Sequence, residues 1–215
     1  MEKSYQTLYL YWDLITTEFS IKPKLSKRWL NRIVSNYFGK TRYYHDLDHV
    51  IKCLQTSEVL DYNFKISQNI AFIFHDIVYN TNSKTNEEDS AKLATEFLLD
   101  IETPDYIPDV NYYILQTKHN EESYTRAKSD IDLAYFLDID LSILGSPPEV
   151  YKEYYKNIEK EYLYGGVSIS DYVEGRYKFL ASLLKKDKIF HTKEVQQLYE
   201  SKARKNIKAE IKTLS

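Results

Sequence analysis

The sequence predicts an all-α fold, a single-domain helical bundle without sheets. Apolar residues recur at helical spacing in one stretch after another, and no stretch alternates apolar and polar residues with period two over a useful length. Only five glycines and five prolines punctuate the 215 residues, too few for a loop-rich all-β chain. No repeat, low-complexity tract or flexible linker divides the chain. It reads as one domain over 1–215, with a core over about 26–145 and C-terminal helices over 149–213 packing on it.

Taken in order, Leu8, Leu10, Tyr11, Leu14, Ile15 and Phe19 predict a first amphipathic helix, with Pro23 after its end. Trp29, Leu30, Ile33, Val34 and Phe38 predict a second, with Ser26 as N-cap and Gly39 at its end. The stretch Thr41-Arg-Tyr-Tyr-His45-Asp-Leu-Asp-His49-Val50 runs into Ile51, Leu54 and Val59 as a third helix. Then comes Ile70-Ala-Phe-Ile-Phe-His75-Asp76, in which five apolar residues run straight into a His-Asp pair. Such a run is a core helix or an inner strand. Ser67, Gln68 and Asn69, flanked by Ile66 and Ile77, favour a helix of about fifteen residues.

After a polar loop over Asn80 to Thr85, Asn86-Glu87-Glu88-Asp89 opens a fifth helix with acidic residues in its first turn, where the helix dipole favours them. This helix buries Leu93, Ala94, Phe97 and Leu98. Pro104 and Pro108 frame a turn before a helix that carries Tyr112, Ile114 and Leu115 and leads to Lys118-His119. Residues 119–129 are polar and read as a loop or lid. The segment Ile131 to Leu144 is apolar apart from aspartates, and Gly145-Ser-Pro-Pro stops it. Helices over about 149–163 and 170–185, separated by Gly165-Gly166, and a basic C-terminal helix complete the chain.

With 43% hydrophobic and 28% charged residues the composition is that of an ordinary soluble globular protein. A net charge of −3 gives no general attraction to nucleic acid or to anionic membranes, so any basic phosphate-binding group is local. The sole cysteine, Cys53, excludes an internal disulfide framework and fits a reducing compartment. Met1-Glu-Lys-Ser-Tyr does not read as a secretory signal and there is no run of about eighteen apolar residues, so the expected location is the cytoplasm, away from membranes.

Three features carry chemistry. His75-Asp76 stands at the edge of a buried element, where two polar groups need partners. On its own, such a pair is usually a histidine bonded to its neighbouring carboxylate. His45 and His49 are four residues apart and on a helix would share a face. They can share a metal, or divide metal binding and substrate contact between them. Asp138 and Asp140 lie inside an otherwise buried helix, where a cap or a buried salt bridge is the ordinary reason for one aspartate. Together these residues form a mixed nitrogen and oxygen set spread over three helices, better suited to Mn, Fe, Co, Zn or Mg than to a sulfur-rich site.

The combination resembles the HD superfamily of metal-dependent phosphohydrolases, and more narrowly a small bacterial family within it. The matching stretches are Arg42-Tyr-Tyr-His-Asp-Leu-Asp-His49, His75-Asp-Ile-Val-Tyr79, Asn86-Glu-Glu-Asp-Ser-Ala91, Thr117-Lys-His119 and Leu137-Asp-Ile-Asp-Leu-Ser-Ile-Leu-Gly145. Glu161-Tyr162 and Gly175-Arg176 extend the likeness over nearly the whole chain. The resemblance implies a bundle of the HD type and a divalent cofactor (Mn, Fe, Co, Ni, Mg or Zn), as one ion or two. It makes His49, His75, Asp76 and Asp140 the metal ligands, with His45 the rival of His49 and Asp138 the rival of Asp140. Tyr44-His45…His49 also resembles the signature of cyclic-nucleotide phosphodiesterases, in which the first histidine protonates the leaving oxygen; His45 would have that role.

Other residues have roles open to them. Lys118 or Arg42 could neutralise phosphate charge, and His119 could bind a second metal or the substrate. Glu87 or Glu88 could orient water or reach a second metal; dipole compensation and capping are the alternative. Arg176 is a substrate contact or a salt-bridged arginine. His191 reads as solvated, the basic run Lys202 to Lys208 as the exposed face of the last helix, and Tyr151, Tyr154, Tyr155 and Tyr162 as packing residues. The function expected from this set is hydrolysis of a phosphoester of a small molecule, with a nucleotide favoured, by metal-activated water. The alternatives are a di-iron oxygenase of HD type, in which His45 and His119 would supply further ligands, and a non-catalytic nucleotide-binding regulatory domain.

Overall fold

The computed structural model describes residues 2–60 and 62–214. Among them the chain is all-helical, without a strand, as the periodicity requires. No described helix is long and apolar enough to cross a membrane. The chain groups into two compact units, Met1–Ser123 and Tyr124–Ser215.

The first unit contains α1 (Glu2–Glu18), α2 (Pro23–Tyr37), α3 (Leu47–Val59), α4 (Ile66–Phe74), α5 (Asn86–Asp100) and α6 (Ile107–Gln116), with a 3₁₀ turn over Pro104–Tyr106. Phe97 of α5 is the centre of its core. The rings of Trp12, Trp29 and Phe74 lie 5.3, 5.4 and 5.3 Å from it, so α1, α2 and α4 all meet on one side chain of α5. Both indole N–H groups find acceptors, Ser26 Oγ at 2.9 Å for Trp12 and Asp100 Oδ2 at 2.9 Å for Trp29, which lets the two large rings be buried without an unpaired donor. Ser26 is therefore an acceptor for an indole and not the N-cap expected of it. Helix α2 starts earlier, with Pro23 in its first turn, where a missing N–H does no harm.

Helix α4 is shorter than the fifteen residues expected. It ends at Phe74, and His75 is its C-cap. All five residues from Ile70 to Phe74 are fully buried, and the helix packs against α1, α3, α5 and α6. Helix α3 also starts later than expected, at Leu47, with Asp46 as N-cap accepting from the backbone N–H of Asp48 at 2.9 Å and of His49 at 3.3 Å. His45 consequently precedes the helix and does not share a helical face with His49.

Residues expected to form a loop or lid over 119–129 contain α7 (Glu121–Ala127), at the division between the units. The second unit continues with α8 (Ile131–Asp140), a 3₁₀ turn over Leu141–Gly145, α9 (Pro148–Tyr164), α10 (Ile169–Lys185), α11 (Lys193–Val195), a π-helical turn over Gln196–Glu200 and α12 (Ser201–Ile211). Helix α8 thus groups with the C-terminal helices, whereas the sequence put it with residues 26–145. Gly166, at φ 92°, takes the left-handed conformation that reverses the chain between α9 and α10. Asn206 of α12 donates to the carbonyls of Leu144 and Ser146, both at 2.9 Å, which ties α12 to the turn after α8.

Candidate metal centre

Two elements of the first unit present the site: the first turns of α3 and the turn that ends α4. His49, in the first turn of α3, points its Nε2 at His75 Nε2, 3.0 Å away. Asp76 Oδ2 lies 3.0 Å from His75 Nε2 and 3.5 Å from His49 Nε2. Both imidazoles are buried and the Asp76 carboxylate is 17% exposed, so the triangle opens only at its carboxylate. The protonation of His75 follows from its neighbours. Its Nδ1 faces the Phe72 carbonyl at 2.9 Å, and a carbonyl can only accept, so Nδ1 carries the hydrogen. In the neutral ring Nε2 then holds a lone pair aimed at a carboxylate oxygen 3.0 Å away.

Lone pairs packed this closely repel unless positive charge lies among them, as protons on the imidazoles or as a metal cation. The spacing suits a cation. Donors bound at about 2.1 Å stand about 3.0 Å apart on an octahedral edge and about 3.4 Å apart on a tetrahedral one. The observed edges of 3.0, 3.0 and 3.5 Å cover that range. The residues present therefore fit a divalent ion with nitrogen and oxygen ligands. Burial alone would raise the Asp76 pKa, but the charges of His75 and His45 and hydrogen bonds from His49 and His75 outweigh it and hold the carboxyl well below its usual range. Asp76 is thus an anion at neutral pH.

Around the triangle the structure distributes the expected residues unevenly. The His45 ring stacks on Tyr79 at 4.1 Å and stands edge-on to His49 at 5.9 Å, beside the triangle and outside it. Arg42 was expected at a phosphate. Its guanidinium instead donates to the backbone carbonyls of His45, Asp76 and Ile77 at 2.6, 2.5 and 2.9 Å. Lys118, at the end of α6, is ion-paired with Glu88 of the first turn of α5. The hydrogen bond between them lowers the Glu88 pKa and raises that of Lys118, and Glu87 adds to the second effect. Helix α5 is tied to the segment that follows Asp76, because Ser90 Oγ accepts from Val78 N–H at 3.1 Å and donates to Val78 O at 3.3 Å. His119, half-buried at φ 49°, follows α6 and is not one of the three converging donors.

Comparison with protein-family models, curated proteins and solved structures finds no match to this chain. The site is therefore read from its own geometry.

In the second unit, Asp138 is 1% exposed and fully engaged. It accepts from the backbone N–H of His191 at 2.8 Å and of Thr192 at 2.7 Å, from Thr192 Oγ1 at 2.8 Å, and lies 3.1 Å from His191 Nδ1. His191, read from sequence as solvated, is therefore a half-buried partner of Asp138. Asp140, the other aspartate of the pair, is the half-buried last residue of α8. Arg176, read as a substrate contact or a salt-bridged arginine, is 8% exposed and forked onto Glu210 within the second unit, which makes it a core residue.

Sequence reading missed three supports of the site. Tyr79, which stacks on His45, gave no signal beyond an aromatic four residues after His75. Tyr37, which has no part in the sequence reading, donates from its hydroxyl to the Ile73 carbonyl at 2.8 Å. Asp46, two residues before a helix-borne Asp-His, carried a readable N-cap signal. Cys53, one turn beyond His49, sets its buried sulfur 3.9 and 4.0 Å from the two ring nitrogens of that histidine.

Proposed function

We propose that this chain is a cytoplasmic metal-dependent phosphohydrolase of the HD type, acting on a phosphoester of a small molecule, with a nucleotide as the favoured substrate. The observation that carries the reading is the convergence of His49 Nε2, His75 Nε2 and Asp76 Oδ2 within 3.0–3.5 Å of one another. A divalent ion held there would make its bound water acidic enough to attack near neutral pH and would polarise a phosphoryl oxygen. His75 is oriented for the role by its Nδ1 bond, the kind of support that raises ligand basicity.

His45 supplies the complementary chemistry. Its imidazole can carry a proton and release it, its ring is oriented by Tyr79, and it is close enough to Asp76 for the two charges to interact. It would hand a proton to the leaving alkoxide. Lys118, partly exposed and paired with Glu88, can move onto a substrate phosphate by exchanging one anion for another. Asp140 is the fourth ligand that the resemblance implies. A second ion would draw on His119, Glu87 or Glu88 in addition to these three donors.

The test is a panel of phosphomonoesters, phosphodiesters and pyrophosphates, with Mn, Mg, Co, Ni, Zn or Fe supplied, run beside metal titration of the protein. Wild type should bind a divalent metal and release phosphate from at least one nucleotide. Asp76→Ala should abolish both with its helical circular dichroism intact, and His45→Gln should lose turnover while keeping the metal. A wild-type protein that binds metal but cleaves nothing would move the reading to a regulatory domain. Iron loading with oxygen consumption would move it to an oxygenase.

A further inference from the structure

The turn that carries His75 and Asp76 is over-determined, and one residue outside it ties it to the His45 segment. A helix end leaves its last carbonyls without intrahelical donors. At the end of α4 each has been given one. Ala71 O accepts from His75 N–H at 2.8 Å, Phe72 O from His75 Nδ1 at 2.9 Å, Ile73 O from the Tyr37 hydroxyl at 2.8 Å and Phe74 O from Ile77 N–H at 3.1 Å. Beyond the helix, the carbonyls of Asp76 and Ile77 are taken by Nη1 and Nη2 of Arg42 at 2.5 and 2.9 Å. The same Nη1 reaches back to the carbonyl of His45 at 2.6 Å. The guanidinium is flanked by the rings of Tyr37 and Tyr79, whose centroids are 5.2 and 5.5 Å from its central carbon. Even the space beside it is specified, because a Cβ at Gly39 would sit 3.0 Å from Arg42 Cγ.

From these contacts we propose that Arg42 is a positioning residue, which clamps the His45 segment to the His75-Asp76 turn and so fixes the proton donor relative to the carboxylate. The catalytic meaning of the clamp rests on the hydrolase reading above; the clamp itself is a property of the backbone. The requirement is for arginine and not merely for positive charge. A planar guanidinium presents several N–H groups in fixed directions and lies flat against aromatic rings, whereas a lysine ammonium is a single nitrogen that cannot bridge carbonyls on two segments in this way. Tyr79 completes the device, since its ring faces both the His45 imidazole at 4.1 Å and the Arg42 guanidinium.

The test uses the full chain, free of metal, with Arg42→Lys and Arg42→Gln. Amide hydrogen exchange is followed in peptides covering 43–50 and 74–80, and Co²⁺ affinity is measured separately by chelator competition. Arg42→Lys should keep the helical circular dichroism of wild type. Exchange in the two segments should quicken together by about tenfold or more while α5 and α6 exchange as before, and Co²⁺ affinity should fall by about 10–100-fold, the usual effect of losing a residue that supports a ligand. Exchange unchanged in both segments, quickened in only one, or quickened uniformly through all helices would overturn the clamp. Should Arg42→Gln fail to fold, Arg42→Lys decides alone. A wild-type protein that binds no Co²⁺ would count against the metal centre and leave the clamp to be judged by exchange.

Discussion

The role of Arg176 separates a substrate contact from a core residue, and the structure sets the size of the difference. Arg176 Nε lies 2.7 Å from Glu210 Oε1 and Nη2 lies 3.1 Å from Oε2, with the two side chains only 7% and 1% exposed. Nη1 donates to the Tyr154 hydroxyl at 3.2 Å, and the Tyr151 hydroxyl donates to Glu210 Oε2. Burial works against the arginine's charge, but Tyr154 and Glu210 hold it firmly protonated. Two unit charges about 3 Å apart at an effective dielectric of about 20 attract by about 5 kcal/mol. Breaking a buried pair from one side costs about 3–5 kcal/mol, because the remaining charge is stranded. Glu210→Gln should therefore destabilise by about that amount and lower Tm by about 6–20 °C. The pair Arg176→Met with Glu210→Leu should recover part of the loss, since it strands no charge and costs only the bonds to the Tyr151 and Tyr154 hydroxyls. Urea unfolding followed by far-UV circular dichroism on wild type, the single variants and the double variant would measure the coupling. A Glu210→Gln variant within about 1 kcal/mol of wild type would refute the core reading. So would an Arg176 variant that loses ligand binding at unchanged stability.

Three further outcomes follow from contacts already described. Gly145→Ala should destabilise by about 2 kcal/mol or more in urea unfolding, because its Cβ would fall 2.4 Å from Tyr199 Cβ and 2.8 Å from the Tyr199 backbone; a neutral variant would mean that the turn and the π-helical segment separate easily. Asp138→Asn should cost about 3 kcal/mol, since the buried carboxylate accepts from two backbone N–H groups and a hydroxyl, and limited proteolysis should then cut within 186–195. The Glu88 carboxyl is lowered by Lys118, so its stabilising contribution is present above its unfolded pKa and lost as pH falls through the lower folded value. With both side chains about a third exposed the contribution is at most about 1 kcal/mol. Glu88→Gln should thus shift the urea midpoint slightly at pH 7 and not at all at pH 2.

The helices were legible because each has a buried stripe, and stripes are periodic. What the sequence could not show was where they end. Helix α4 stops at Phe74 because its last carbonyls are bonded by Tyr37 and by His75's own ring, and the residues after it are held by Arg42. Tyr37 and Arg42 are more than thirty positions away, beyond any local pattern. The same blindness placed His45 on a helical face with His49. Spacing of four matters only if the helix includes both residues, and Asp46 starts the helix after the first. The cap preference of aspartate was a signal that could have moved that boundary. Ion pairs such as Lys118 with Glu88, separated by thirty residues, had no signal at all.

The two aspartates of α8 show how structure narrows a ligand set. Residues two apart on a helix point about 200° away from each other, so Asp138 and Asp140 cannot face the same way. Helix α8 is buried from Leu133 to Ile139, which leaves Asp138 needing donors from within the second unit. It finds them at the backbone N–H groups that precede α11, where an anion is favoured by the unpaired donors and the dipole of a helix start. Its carboxylate then has a complete structural reason to be where it is, and His191 and Thr192 share that reason. A buried carboxylate whose oxygens are taken up in this way has little left to offer a cation.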